Sequence, residues 1–173
     1  MTSRDYNPFT QLELRLPIAF QEEIRRYTRT QDTSATGRGS RVEESPFSRY
    51  VDFWMTAIAV AVSDEANVQV PATTETWRFE YGARLQGSTA WIDLLQLIAI
   101  SHDGDPLVLR DSRRVIDIAN SYAAAGSESL INLLSGGEVP LWNVTTALMN
   151  KINSIQPDAP DELAESIGLP VPS

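Results

Sequence analysis

The chain contains no cysteine, one histidine and, among its fourteen basic residues, one lysine. Without cysteine neither a disulfide framework nor a thiolate zinc site can form, which fits a reducing compartment. With His102 as the only imidazole, a zinc centre of three or four side-chain ligands lacks nitrogen donors. Long apolar runs are scarce too: FWMTAIAVAV, Phe53 to Val62, spans ten residues, whereas a bilayer-crossing helix needs about 20 at ~1.5 Å rise each. No membrane association is therefore expected. The opening residues MTSRDYNPFTQLELRL have no apolar core behind a basic flank and no small-residue cleavage site, so no secretory signal is expected and the cytoplasm is the expected compartment. Internal repeats and long heptad runs are absent, which removes solenoids and zippers.

What is present is a helical pattern. At 173 residues and 42% hydrophobic, the chain can bury one sizeable core, and a single domain over residues 1–173 is expected. In SRYVDFWMTAIAVAVSD, Phe47, Val51, Trp54, Ile58 and Val62 form one stripe, and Tyr50, Phe53, Ala57 and Val60 a second. Arg49, Asp52, Thr56, Ala59 and Ser63 form a narrow polar edge, so this helix should lie deep in the core. Ser45 and Pro46 read as its cap and start. Pro17 opens an amphipathic peripheral segment with Phe20, Ile24 and Tyr27 inward. Residues 88–101 place Trp91, Leu94, Leu95 and Ile98 on one side and should pack on the central helix. Asp111 caps a helix with Val115, Ile118, Ala119 and Tyr122 inward, which Gly126 would end in a left-handed exit. Ser127 would cap a further short helix stopped by Gly136 and Gly137. Pro140 opens PLWNVTTALMNKI, with Leu141, Val144, Leu148 and Ile152 in register. Together with PDELAESIG these make a mainly α bundle of about six or seven short helices.

Strand signals are confined to QLELRL, NVQV and TWRFEYGARL, leaving room for one small β-hairpin between residues 67 and 85. The segment 29–45, rich in Ser, Thr, Gly and Arg, lacks apolar periodicity and reads as a mobile loop. An acidic, Pro-flanked segment, 156–173, closes the chain; its Leu163 and Ile167 are spaced to dock in a groove on a helix.

Charge is unevenly spread. Residues 1–49 hold eight arginines and seven acids; residues 50–173 hold six basic and sixteen acidic residues. Arg25, Arg26, Arg29, Arg38 and Arg41 suit a phosphate-binding arm, because guanidinium forks match phosphate geometry. A solvated helix end and linker is the preferred reading, because the acidic body would repel a duplex. A helix-turn-helix over residues 112–135 fails because SESLINLLS has no Lys or Arg to read phosphate or guanine.

Catalytic chemistry is hard to place. His102, Asp103 and Asp105 in SHDGDPLVLRD suggest a metal or acid–base site, but a calcium loop counted from Asp103 puts Leu107, Val108 and Arg114 where an oxygen ligand, Gly and Glu belong. A polar turn between two helices accounts for them. No nucleophile elbow, phosphate loop, dinucleotide fingerprint or zincin motif occurs. Asp52, one turn from Arg49, suits a general base, a partner anchor or a structural ion pair, and the pair is preferred. Trp54, Trp91 and Trp142 fall on core-facing registers, which leaves Trp77 as the accessible tryptophan.

The stretches PFSRYVDFW, AWIDLLQLIAI and VIDIANSYAAAG are similar in texture to small helical accessory subunits of bacterial DNA-targeting defence systems. The preference for Arg over Lys, thirteen to one, fits a GC-rich bacterial gene. The resemblance covers the middle of the chain and transfers no functional residue. It implies a non-catalytic accessory or adaptor subunit with a larger protein partner, and no cofactor or metal. The alternatives are a nucleic-acid binder using the arginine arm, with Trp77 beside it, and a small enzyme using Asp52 or the His102 turn; a homo-oligomer is compatible with each.

Overall fold

The computed structural model describes residues 7–29, 43–68, 75–86, 88–137 and 139–155, the side chains of 151–155 excepted. It is mainly α-helical with one small antiparallel sheet. In chain order the elements are β1 (Glu13–Pro17), α1 (Gln21–Tyr27), α2 (Tyr50–Ser63), β2 (Thr76–Tyr81), α3 (Thr89–Asp103), α4 (Ser112–Ser135) and α5 (Pro140–Ile155). Short 3-10 turns occupy Ile18–Phe20, Gly82–Leu85 and Pro106–Arg110. The segment 156–173, with Leu163 and Ile167, lies outside the described residues.

The two apolar stripes of α2 put it at the centre, as expected. Phe53, Trp54, Ala57 and Ile58 are fully buried, and the helix makes its most extensive contact with α4. The first stripe ends early, because Val62 is exposed, whereas Val60 at the end of the second is buried. The expected start at Pro46 is corrected: α2 begins at Tyr50, and Ser45 turns back to donate from Oγ to the Arg26 carbonyl at 2.7 Å.

The largest departure from the sequence reading concerns α4. It is one helix of 24 residues running through Gly126 and Ser127, not two helices with a break. Gly126 is buried and has no positive φ; a Cβ there would lie 1.9 Å from the Ala57 carbonyl oxygen and 3.0 Å from the Ala61 amide. This glycine lets α2 and α4 approach backbone to backbone. Ser127 spends its hydroxyl inside the helix, donating to the Ala123 carbonyl at 2.7 Å. Asp111 caps α4 as expected, its carboxylate accepting from the amides of Arg113 and Arg114 at 3.0 and 3.1 Å. Gly104, at φ 70°, ends α3 in the left-handed region that favours glycine.

Helix α3 packs mainly on α4 rather than on α2. Its inward face is Ile92, Leu95, Ile98 and Ala99, while Leu94 and Leu97 are exposed and Trp91 is half-buried. The apolar residues of this helix surround it, so spacing alone does not select the buried set.

The sheet is also assembled differently. β2 pairs antiparallel with β1, Leu16 opposite Trp77 and Leu14 opposite Glu80; residues 69–74 of the stretch expected to hold a hairpin lie outside the described residues. A bulge after Leu14 leaves Phe79 without an opposite number. Leu14 and Leu16 are fully buried, each such burial contributing about 1.5–3 kcal/mol. The far edge of β1 meets Asn120 of α4: Oδ1 accepts from the Arg15 amide at 2.9 Å, and Nδ2 donates to the Glu13 carbonyl at 3.0 Å. One side-chain amide thus satisfies the edge as a residue of a parallel neighbouring strand would. The same Oδ1 accepts from Trp54 Nε1 at 3.2 Å, which ties β1, α2 and α4 at one point.

Candidate functional site

Two concave regions stand out beyond the core. The first is a groove of about 690 Å³ between α2, α4 and α5. Its α2 wall is Thr56, Ala59 and Ser63, the polar edge that the sequence marks on the central helix, with Val60 behind it. Leu133 of α4 and Ala147 and Leu148 of α5 form the opposing walls, and Asp64 closes one end. Along α5 large side chains stand in solvent: Trp142 is 62% exposed, Leu148 48% and Met149 53%, and of these Leu148 lines the groove.

The position of α5 explains this exposure. Its start is pinned, with the Leu141 amide donating to the Glu43 carbonyl at 3.2 Å and Asn143 Nδ2 to the Leu134 carbonyl at 3.1 Å. Val144 packs on the core, but Leu148 is not covered. The expected inward register of Leu141, Val144 and Leu148 is therefore only half realised, and Trp142 is corrected from a core residue to an exposed one. Trp77 moves the other way. Its ring is half-buried, 5.5 Å from Tyr50 and 6.1 Å from Phe79, with the Arg25 guanidinium 6.0 Å from its centroid. Its Nε1 is buried without a hydrogen-bond partner.

The second region is a pocket of about 350 Å³ where α2 begins. Arg29, Arg49 and Arg84 line it with Tyr50, Val51 and Phe79, and Thr28, Ser48 and Glu80 complete the wall. Arg29 arrives there because Thr28 and Phe47 form an isolated parallel bridge, with the Arg29 amide donating to the Phe47 carbonyl at 2.8 Å. That bridge, and the burial of Ser45, hold both ends of the segment expected to be a mobile loop over 29–45. Its interior, 30–42 with Arg38 and Arg41, lies outside the described residues. Of the remaining arm residues, Arg25 pairs with Glu22 at 3.0 Å and Arg26 lies 5.6 Å from the Tyr27 ring. The structure thus brings Arg29 to Arg49 but leaves Arg25 and Arg26 on α1, outside the pocket lining.

Asp52 is held as a structural pair. Arg49 donates from Nη2 to Oδ1 at 2.7 Å and from Nε to Oδ2 at 3.2 Å, and Ser48 Oγ adds 2.8 Å. Burial alone pushes the Asp52 carboxyl up; the hydrogen bonds from Arg49 and Ser48, with the Arg49 charge, outweigh it and hold the group below its ordinary 3.8. A depressed folded pKa contributes stability above the unfolded value that is lost as pH falls through the folded one. Because Arg49 is exposed, the contribution is about 1 kcal/mol or less. Asp52→Asn is expected to cost no more than that at neutral pH and to flatten the loss of stability below about pH 4. Urea unfolding at several pH values checks it, and an acid limb as steep as the parent's refutes it.

The His102 turn is likewise occupied by structural contacts. The His102 ring stacks edge-on against Tyr122 with centroids 5.7 Å apart. Arg114 donates to both Asp103 oxygens, at 3.0 and 3.3 Å, and its hydrogen bond holds that carboxyl below its ordinary value. Asp105 accepts from the Leu107 amide at 2.9 Å and caps the following turn. Among the described residues no cluster of three or more His, Asp or Glu is arranged to hold a metal ion, and no helix is long and apolar enough to cross a membrane. The sequence reading missed the groove and Asn120. A polar residue one turn after Ile116 and three before Ala123, inside an apolar stripe, was the available signal for Asn120.

No protein-family model, curated protein or solved structure matches this chain.

Proposed function

We propose that the protein is a non-catalytic accessory subunit that works by protein–protein contact in a larger assembly. The single observation carrying this reading is the open groove between α2, α4 and α5, with Leu133 and the half-exposed Leu148 in its walls. A groove between helices with an uncovered apolar rim suits an amphipathic helix, whose apolar side chains enter at helical spacing. The occupant proposed is such a helix from a protein partner, with a basic flank, because Asp64 closes one end of the groove and the chain as a whole carries a net charge of -9. The cytoplasm is the proposed compartment, and the resemblance noted above suggests a bacterial DNA-targeting defence complex as the assembly.

A photo-crosslinking phenylalanine at position 132, an exposed position in the groove wall, used in the native host, tests the reading. The expected product is a heterologous protein crosslinked through an amphipathic helix with basic residues on its flank. Leu148→Glu should leave the helical signal intact, since Leu148 is half exposed, yet reduce that product by about tenfold or more through a charge stranded in an apolar contact. Crosslinking to a second copy of this chain, or a yield insensitive to Leu148→Glu, would overturn the proposed occupant.

A further inference from the structure

We propose that the pocket at the start of α2 binds a small phosphate ester of nucleoside-monophosphate size, its phosphoryl group held by Arg29, Arg49 and Arg84. The proposal is independent of the docking groove, whose lining it does not share.

Three guanidinium-bearing side chains converge here although the rest of the chain is strongly acidic. Each is oriented by only part of its fork. Arg29 donates from Nε to the Ser45 carbonyl at 3.1 Å, Arg84 from Nε to Glu80 at 3.0 Å, and Arg49 from Nε and Nη2 to Asp52. A guanidinium carries five N–H donors, so all three retain donors beyond these bonds, already aligned by them. Glu80 and Asp52 offset two of the three positive charges, and among the described residues no carboxylate pairs with Arg29. One net positive charge remains to meet a phosphate monoester, which carries about −1.5 to −2 at pH 7.

The backbone adds to this. Tyr50 and Val51 open a 14-residue helix and line the pocket; their amides belong to the first turn, where N–H groups have no partner within the helix. Arg49, at the N-cap position, makes no side-chain cap. The second, separate observation is Thr28, which lines the same pocket. It is 3% exposed, and its Oγ1 is buried without a hydrogen-bond partner. Such an orphan costs about 1–3 kcal/mol unless something satisfies it, and a phosphoryl oxygen is an acceptor of the right kind. The remaining wall, Tyr50, Val51 and Phe79, is aromatic and apolar. At about 350 Å³ the volume exceeds that of a bare phosphate and lies at the small end of ligand pockets. A flat heterocycle against Tyr50 and Phe79 accounts for the excess.

Isothermal titration of the full chain with adenosine 5′-monophosphate, inorganic phosphate and adenosine tests this. The expected result is saturable 1:1 binding of the monophosphate, weaker binding of inorganic phosphate and none of adenosine. Arg29→Gln should weaken the monophosphate about tenfold, the usual scale for one charge-assisted hydrogen bond. Arg110→Gln, outside the pocket lining, should not. Thr28→Val separates ligand contact from structure: binding should fall severalfold while the unfolding midpoint stays level or rises, because an unpaired hydroxyl has been removed. Absence of saturation up to about 1 mM, adenosine binding as well as its monophosphate, inorganic phosphate binding equally well, or unchanged affinity in Arg29→Gln would each overturn the proposal.

Discussion

Gly126→Ala is expected to lower the stability of the fold by about 3 kcal/mol or more, although alanine is the better helix former. On an exposed helix the exchange gains about 1 kcal/mol. Here the new methyl would meet the Ala57 carbonyl oxygen at 1.9 Å and its carbon at 2.8 Å. Both are backbone atoms in the middle of α2 and cannot rotate away, so the helices must separate along their most extensive contact. Overpacking in a well-filled core costs about 1–3 kcal/mol when side chains can adjust, and more when they cannot. Against a domain stability of about 5–15 kcal/mol the loss is large. Urea unfolding followed by helical signal reads it directly, and a midpoint equal to or above that of the parent would show that α2 and α4 do not touch at this glycine.

Asn120→Leu should cost about 3–5 kcal/mol despite similar volume and greater hydrophobicity. The substitution strips partners from the Arg15 amide, the Glu13 carbonyl and Trp54 Nε1 in one step. A buried donor or acceptor left unpaired costs about 1–3 kcal/mol, and disruption of a connected buried network is among the few routes to a large single-site effect. Trp54→Phe, which removes only the indole donor from that network, should cost clearly less than Asn120→Leu. Chemical unfolding of both proteins checks the order. Equal losses would place the effect in packing rather than in the amide.

These two residues also show what the sequence could and could not say. The stripes of α2 are legible because Phe53, Trp54, Ala57 and Ile58 lie on faces that are apolar whichever neighbour covers them. The cap at Asp111 is legible because it is local. Gly126 is not, since a glycine near a helix midpoint and one near its end look alike until a second backbone is known to pass within contact. The pairing of Leu16 with Trp77 joins segments sixty residues apart, and TWRFEY carries no mark of its distant partner. For α5, spacing identifies an apolar face but not its cover, so Trp142 reads as core while standing in solvent. The groove was half visible, in the narrow polar edge of Thr56, Ala59 and Ser63. The pocket is legible only as two unconnected residues, Arg29 in a loop and Arg49 on a helix, and nothing in the sequence marks Arg84.

The way Asn120 finishes the edge of β1 has a consequence for synthesis. The Arg15 amide waits for a partner 105 residues downstream, which at about 5–20 residues per second takes about 5–20 s to be made. β2 is made earlier in that interval, but until Asn120 follows, Leu14 and Leu16 lack the cover of α4, and the nascent chain carries an unsatisfied strand edge away from the ribosome. The earlier-made strand of the sheet thus waits longest for completion, and the growing polypeptide is most open to capture by a chaperone or by a neighbouring nascent chain over that interval.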